Sequence, residues 1–253
     1  MLQRNFGSQW LEAEFPAPPK GMHSNFPLVE NFLRDRPDIQ AFSSHTAQLP
    51  LPDLGREIFP VVFLRHPLDR LKSAYAFERI QDSRTHGAQL AKRHDFAGYV
   101  HELLANANFR QARNFQTQRL AANEPPDQGS ERERALRTFD ALPFVGLVEA
   151  YERSVERLGA LLAPHFPRLQ AIALHENKTA SQTGSLEERI AAMKAAMPAD
   201  LFDRLVECNS DDFAIYERAK SLYEDPVATQ QRNSTSAPAL DEGEPPEAAA
   251  GCS

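Results

Sequence analysis

The stretch Phe59-Pro60-Val61-Val62-Phe63-Leu64-Arg65-His66-Pro67-Leu68-Asp69-Arg70-Leu71-Lys72-Ser73-Ala74-Tyr75 reads as a strand followed at once by a helix. Val61 to Leu64 is β-branched and aromatic with no charge, the pattern of a strand covered on both faces. Pro67 has no N–H and a fixed φ, so it suits the first position of a helix, where that donor would go unused. A helical step of about 100° per residue places Leu68, Leu71 and Tyr75 on one stripe and His66, Asp69, Arg70 and Ser73 on the opposite one. The first stripe is expected to pack and the second to remain available for chemistry. Arg65 falls at the carboxyl end of the strand, the edge at which open α/β sheets bind ligands. Its planar fork suits a phosphate, and the adjoining helix N-terminus adds unpaired N–H groups and a positive dipole end. Ser73, two turns further on, can offer a hydroxyl to the same anion.

Outward from this unit the strand-then-helix pattern repeats, which favours an α/β fold with a parallel sheet over an all-helical bundle. Phe144-Val145-Gly146-Leu147-Val148 reads as a second strand feeding a helix from about Ala150 to Leu162, and Ala171-Ile172-Ala173-Leu174 as a third. Ser185-Leu186-Glu187-Glu188 is a capping box, Pro198 opens another helix, and Ser210-Asp211-Asp212 precedes an apolar-periodic helix through Tyr223. The polar run from Asn123 to Ser130 reads as an exposed loop. Residues 227–253 lose nearly all large apolar side chains and are expected to be a disordered tail behind one domain of residues 1–226.

Composition narrows the function. The 253 residues are 42% hydrophobic and 25% charged, which suits a globular domain. Net charge is -7 and the 28 Lys and Arg are scattered, which disfavours duplex nucleic acid as the partner and makes any anion site local. No apolar run reaches the roughly 20 residues of a membrane helix, and Met1 to Asn5 lacks the apolar stretch of a signal peptide, so a soluble, cytoplasmic chain is expected. Two cysteines, Cys208 and Cys252, make no disulfide framework. The absence of Gly-x4-Gly-Lys-Ser/Thr disfavours a nucleotide kinase or NTPase, and the absence of His-Glu-x-x-His and Cys-x-x-Cys disfavours metal hydrolysis.

The unit strand-Arg65-x-Pro67-x-x-Arg70-x-x-Ser73-x-Tyr75 resembles the 3'-phosphate-binding segment of sulfotransferases that use PAPS (3'-phosphoadenosine 5'-phosphosulfate), in particular the carbohydrate branch related to heparan sulfate 2-O-sulfotransferase. Three further segments follow in that family's order. Asn114-Phe115-Gln116-Thr117-Gln118-Arg119-Leu120 is similar to its Asn-x-Gln-Thr-Arg-x-Leu, with the Arg displaced by one. Phe144-Val145-Gly146-Leu147-Val148-Glu149 is similar to its Phe-Val-Gly-x-x-Glu, and Asn209 to Tyr223, with Asp212, Tyr216 and Ala219, is similar to its closing helix. His66 stands where the family carries Asp. The resemblance implies a P-loop-NTPase-like three-layer fold with a central parallel sheet flanked by helices. It implies transfer of a sulfuryl group from PAPS to a hydroxyl of a carbohydrate or other small acceptor, with no metal.

The same resemblance assigns Arg65 and Ser73 to the 3'-phosphate, Lys178 and Thr179 of the loop His175-Glu176-Asn177-Lys178-Thr179 to the nucleotide, and His45 to the role of general base. Histidine is the side chain whose proton affinity suits that role near neutral pH; His23 is the reserve. One family element is not matched. Pro19-Lys20-Gly21-Met22-His23-Ser24 imitates the 5'-phosphosulfate loop poorly, Glu12 to Pro18 reads as coil, and Met1 to Gly7 looks like the end of the helix that follows that loop. The expectation is therefore a sulfotransferase fold without its first strand and phosphate loop. The alternative is a non-catalytic nucleotide-binding or interaction protein on a degenerate scaffold. The acceptor and the oligomeric state are not fixed by the sequence.

Overall fold

In the computed structural model, residues 1–16, 24–173 and 184–224 are described. The decisive stretch folds as read: β3 (Val61–Leu64) runs into α3 (Pro67–Ile80), with Pro67 at its first position and Asp69 in its first turn. β3 lies parallel to β4 (Phe144–Leu147), in register from Val61 opposite Phe144 to Leu64 opposite Leu147. All four residues of β4 are buried, as a strand covered on both faces requires. Gly146 is needed there, because a Cβ at that position would come within 2.6 Å of the Phe63 ring.

Between these strands the chain makes a long helical crossover. It comprises α4 (His86–Arg93), α5 (Phe96–Ala105), α6 (Phe115–Ala121) and α7 (Glu131–Ala141). The run before α7 is an exposed loop ending in a second capping box, Ser130 with Glu133. After β4 come α8 (Tyr151–Leu162), α9 (Leu186–Ala195), α10 (Ala199–Glu207) and α11 (Ser210–Glu224), and the Ser185–Glu188 capping box forms at the head of α9. α11 is fastened to β4 from inside the core. The Tyr223 hydroxyl donates to Val145 O at 3.2 Å, accepts from Leu147 N at 3.2 Å and lies 2.7 Å from Ser154 Oγ.

The apolar stripe of α3 packs as its periodicity requires: Leu68, Leu71 and Tyr75 join Tyr99, Val100 and Leu103 of α5 and Leu201, Phe202 and Leu205 of α10 in one cluster. A second cluster under β3 and β4 contains Phe139, Ile215 and Tyr216. Each fully buried aliphatic or aromatic side chain in these clusters is worth roughly 1.5–3 kcal/mol.

Three expectations change. First, the described strands form two separate parallel pairs in place of one central sheet. The second pair joins β1 (Trp10–Glu12), preceded by α1 (Leu2–Phe6), to β2 (Ala41–Ser43), which follows α2 (Phe26–Arg34). Glu12, read as coil, thus closes a strand, because Trp10 to Glu12 gains a distant partner that local patterning does not show. Second, residues 171–173 form no strand, and Leu174 lies outside the described residues. Ala171 instead sits on Gly159 of α8, where a Cβ would come within 2.5 Å of its methyl group. Third, the polar stripe of α3 is not open: Asp69 is buried, and Arg70 turns inward to bond Gln111 O and lie 4.3 Å over the Phe115 ring. Helices α6, α9 and α11 cover that side, which a single-helix wheel cannot anticipate.

Candidate functional site

Arg65 leaves the end of β3 and folds back along α3. Its Nε donates to Asp69 Oδ2 at 2.7 Å and a terminal nitrogen reaches the same oxygen at 2.6 Å. A second guanidinium arrives from α9, where Arg189 Nε donates to Asp69 Oδ1 at 2.8 Å and its terminal nitrogen to Oδ2 at 3.1 Å. The carboxylate is 4% exposed and the two arginine side chains 14% and 19%, so two cations share one nearly buried anion. Burial alone would raise the Asp69 carboxyl, but the Arg189 hydrogen bond and the Arg65 charge outweigh it and hold the carboxyl below the usual range. Ser73 lies one turn past Asp69 on the same face of α3, half-buried. Arg65, which precedes the helix, is tied to Asp69, and Asp69 is one turn from Ser73.

The backbone of Arg65 is fixed as firmly as its side chain. Gln116 of α6 accepts from Arg65 N at 3.0 Å and donates to Arg65 O at 2.9 Å, imitating a strand partner. Gln116 is set in turn by a reciprocal cap. Asp212 of α11 accepts from Gln116 N at 3.1 Å, Thr117 N at 2.7 Å and the Thr117 hydroxyl at 2.7 Å. Asn114 Oδ1 accepts from Asp211 N at 3.1 Å and Asp212 N at 3.3 Å. Each helix start thus receives its acceptor from the other. Asn114 does this at φ 44°, a left-handed conformation that asparagine tolerates better than most residues.

Beside Arg65, Glu149 after β4 accepts from His66 N at 2.7 Å and is hydrogen-bonded by Tyr216 of α11. Although Glu149 is exposed as a residue, its carboxylate is turned onto these two donors, and the surrounding protein raises its carboxyl above the usual range. The His66 ring meets Phe213 and Tyr216 edge-on at 5.3 and 5.4 Å, and burial there lowers its pKa. The four segments quoted from the sequence, around Arg65, Gln116, Glu149 and Asp212, consequently meet at the carboxyl rim of β3 and β4.

His45 stands beyond the carboxyl end of the other pair, with its side chain 86% exposed. Its Nδ1 is 2.7 Å from Glu14 Oε1. Arg119 of α6 donates to Thr46 O at 3.1 Å, and Arg119 O accepts from Leu49 N at 3.0 Å. Gln116 and Arg119 are three residues apart on α6, so one helical turn links the backbone of Arg65 to the backbone next to His45. Glu12, Glu14 and His45 also offer ligand atoms within 4.8 Å of one another, an exposed group able to hold a cation.

His23, Lys178 and Thr179 lie outside the described residues. Sequence reasoning passed over Arg189 and Glu14. Glu14 gives no local signal, being 31 residues from His45. Arg189 gives a faint one: it sits near the start of α9, where a cation is mildly unfavourable against the helix dipole and gains from a carboxylate nearby.

The molecule is thus an α/β protein with small parallel strand pairs and a paired-arginine cluster at a strand end. Comparison with curated proteins finds an uncharacterized protein of Archaeoglobus fulgidus that is 34% identical over 233 residues, 89% of this chain and 91% of that protein. The chain belongs to that protein's family. No protein-family model matches the chain, and no solved structure matches it. Among the described residues no helix is long and apolar enough to cross a membrane.

Proposed function

We propose that this chain carries the nucleotide-gripping half of a PAPS-dependent sulfotransferase, on a P-loop-NTPase-like three-layer fold. In this reading Arg65 and Ser73 hold the ribose 3'-phosphate. His45 removes the proton of an acceptor hydroxyl on a carbohydrate or other small molecule, without a metal, in the cytoplasm. The observation that supports the reading is the meeting of Arg65, Gln116, Glu149 and Asp212 at one strand rim. Residues from four distant segments are spent on fixing one arginine, which a solvated helix face would not require. A guanidinium held by its Nε edge keeps a terminal N–H pair for an oxyanion, and the start of α3 contributes its dipole.

The test is calorimetric titration of the full chain with adenosine 3',5'-bisphosphate, set against adenosine 5'-monophosphate. Tighter binding of the bisphosphate by at least about tenfold is expected, equal to about 1.4 kcal/mol, and Arg65→Ala should abolish the difference. Equal binding of the two nucleotides, or none, would remove the reading. Binding of the bisphosphate with no sulfuryl transfer from PAPS to any sugar would leave the non-catalytic alternative in its place.

A further inference from the structure

Glu14 and His45 carry an inference that rests on the reading of His45 as base and adds a residue to it. Glu14 stands two residues past the end of β1 and His45 two past the end of β2, so both lie at the carboxyl edge of a parallel pair. The carboxylate is clamped independently of the imidazole. Its Oε1 accepts from His45 N at 3.0 Å, and its Oε2 accepts from the Thr46 hydroxyl at 2.6 Å. Thr46 Oγ1 also accepts from Phe15 N at 2.6 Å, which stitches the two strand ends together. The carboxylate takes hydrogen bonds from His45 N and the Thr46 hydroxyl, and like an ordinary glutamate it is an ionised acceptor near neutral pH. An ionised carboxylate has no proton to share. The 2.7 Å contact therefore requires the hydrogen on Nδ1, which leaves the lone pair of a neutral ring on Nε2. Nε2 has no partner among the described residues.

We propose that Glu14 is the positioning residue of His45: it holds the ring in the Nδ1–H form and makes Nε2 the proton-accepting atom. In the reaction, the acceptor oxygen forms its bond to sulfur as its proton passes to Nε2. The bond from sulfur to the bridging phosphate oxygen breaks, and its electron pair leaves on that oxygen. The imidazolium formed is bonded to the Glu14 carboxylate and returns its proton to water.

The experiment reads the ring directly, by long-range proton–nitrogen NMR of the histidine-labelled full chain above pH 8 with EDTA present, so that no cation occupies Glu12, Glu14 and His45. His45→Gln assigns the resonance. Wild type is expected in the Nδ1–H form. Glu14→Ala should move the ring population toward Nε2–H by at least about threefold, the scale of one exposed charged contact, and Glu14→Asp should restore part of the shift. Should Glu14→Ala disorder the turn, Glu14→Gln keeps a neutral acceptor in place and is expected to give an intermediate population. A wild-type ring in the Nε2–H form, or one indifferent to all three variants, would overturn the inference. Because neither donor nor acceptor is present, a wild-type protein that transfers no sulfuryl group counts against the proposed function alone.

Discussion

Asp69 is the residue on which the candidate phosphate grip turns, because it decides where two guanidinium groups point. Replacing it with Asn keeps the shape but leaves Arg65 and Arg189 facing each other without an anion, a loss of about 3 kcal/mol at neutral pH on the scale of broken buried pairs. Its pH dependence has a definite sign. The folded carboxyl is held below its unfolded value, so its contribution is complete above about pH 4 and fades as pH falls through the folded value. Denaturation midpoints of wild type and Asp69→Asn should therefore lie furthest apart at neutral pH and converge below about pH 4. A gap that stays constant on acidification would mean that the charge on Asp69 contributes nothing. Bisphosphate should at the same time recover part of the variant's stability, since a bound phosphate supplies the anion that the arginines have lost.

At the scale of elements, the reciprocal cap between α6 and α11 is the joint that carries Gln116 to Arg65. Asp212→Ala strips acceptors from two backbone N–H groups and one buried hydroxyl. It is expected to cost about 2–3 kcal/mol in urea denaturation, at the upper end for a cap because the site is fully buried. Asn114→Ala removes the opposite acceptor, and the two losses should fall short of additive by about 1 kcal/mol, since either change loosens the same joint. Strict additivity would show that the caps act separately. The elements themselves were largely readable from local rules: Pro67, Ser185 and Pro198 open the helices that their chemistry indicates, and Val61–Leu64 and Phe144–Leu147 are the strands. What local rules could not supply were pairings across the chain. Trp10–Glu12 becomes a strand only because Ala41–Ser43 meets it, and Ala171–Ala173 is no strand among the described residues because the face of α8 takes its place. The candidate site divides the same way: Arg65 and Ser73 stand at positions that the strand–helix pattern marks and His45 is proposed through the family resemblance, whereas Arg189 and Glu14 meet them only through contacts made by the fold.

For the molecule as a whole, the titrating groups of the site give the stability curve a shape that can be worked out before it is measured. His66 is half-buried against Phe213 and Tyr216, near Asp69, Glu149, Glu217, Lys220 and Arg189, and desolvation lowers its pKa despite the nearby carboxylates. A histidine depressed in the fold contributes stability above its unfolded value near pH 6.5 and loses it as pH falls through the folded value. Glu149 and, outside the site, Glu78 near the end of α3, which accepts from the Tyr99 hydroxyl, act oppositely: desolvation raises both, so stability that they withhold at neutral pH returns as pH falls through their folded values. Asp69 then weakens the fold below about pH 4. Thermal midpoints should thus decline from about pH 6.5, flatten as the two glutamic acids take up protons, and fall again in acid. His66→Gln separates the first of these steps from the rest. It loses the ring contacts, so it melts below wild type at pH 7.5, but it cannot charge, so the difference between the two proteins should narrow as pH is lowered to 5. Parallel curves across that interval would show that His66 takes up its proton equally in the folded and unfolded chain, and the first decline would then need a different histidine.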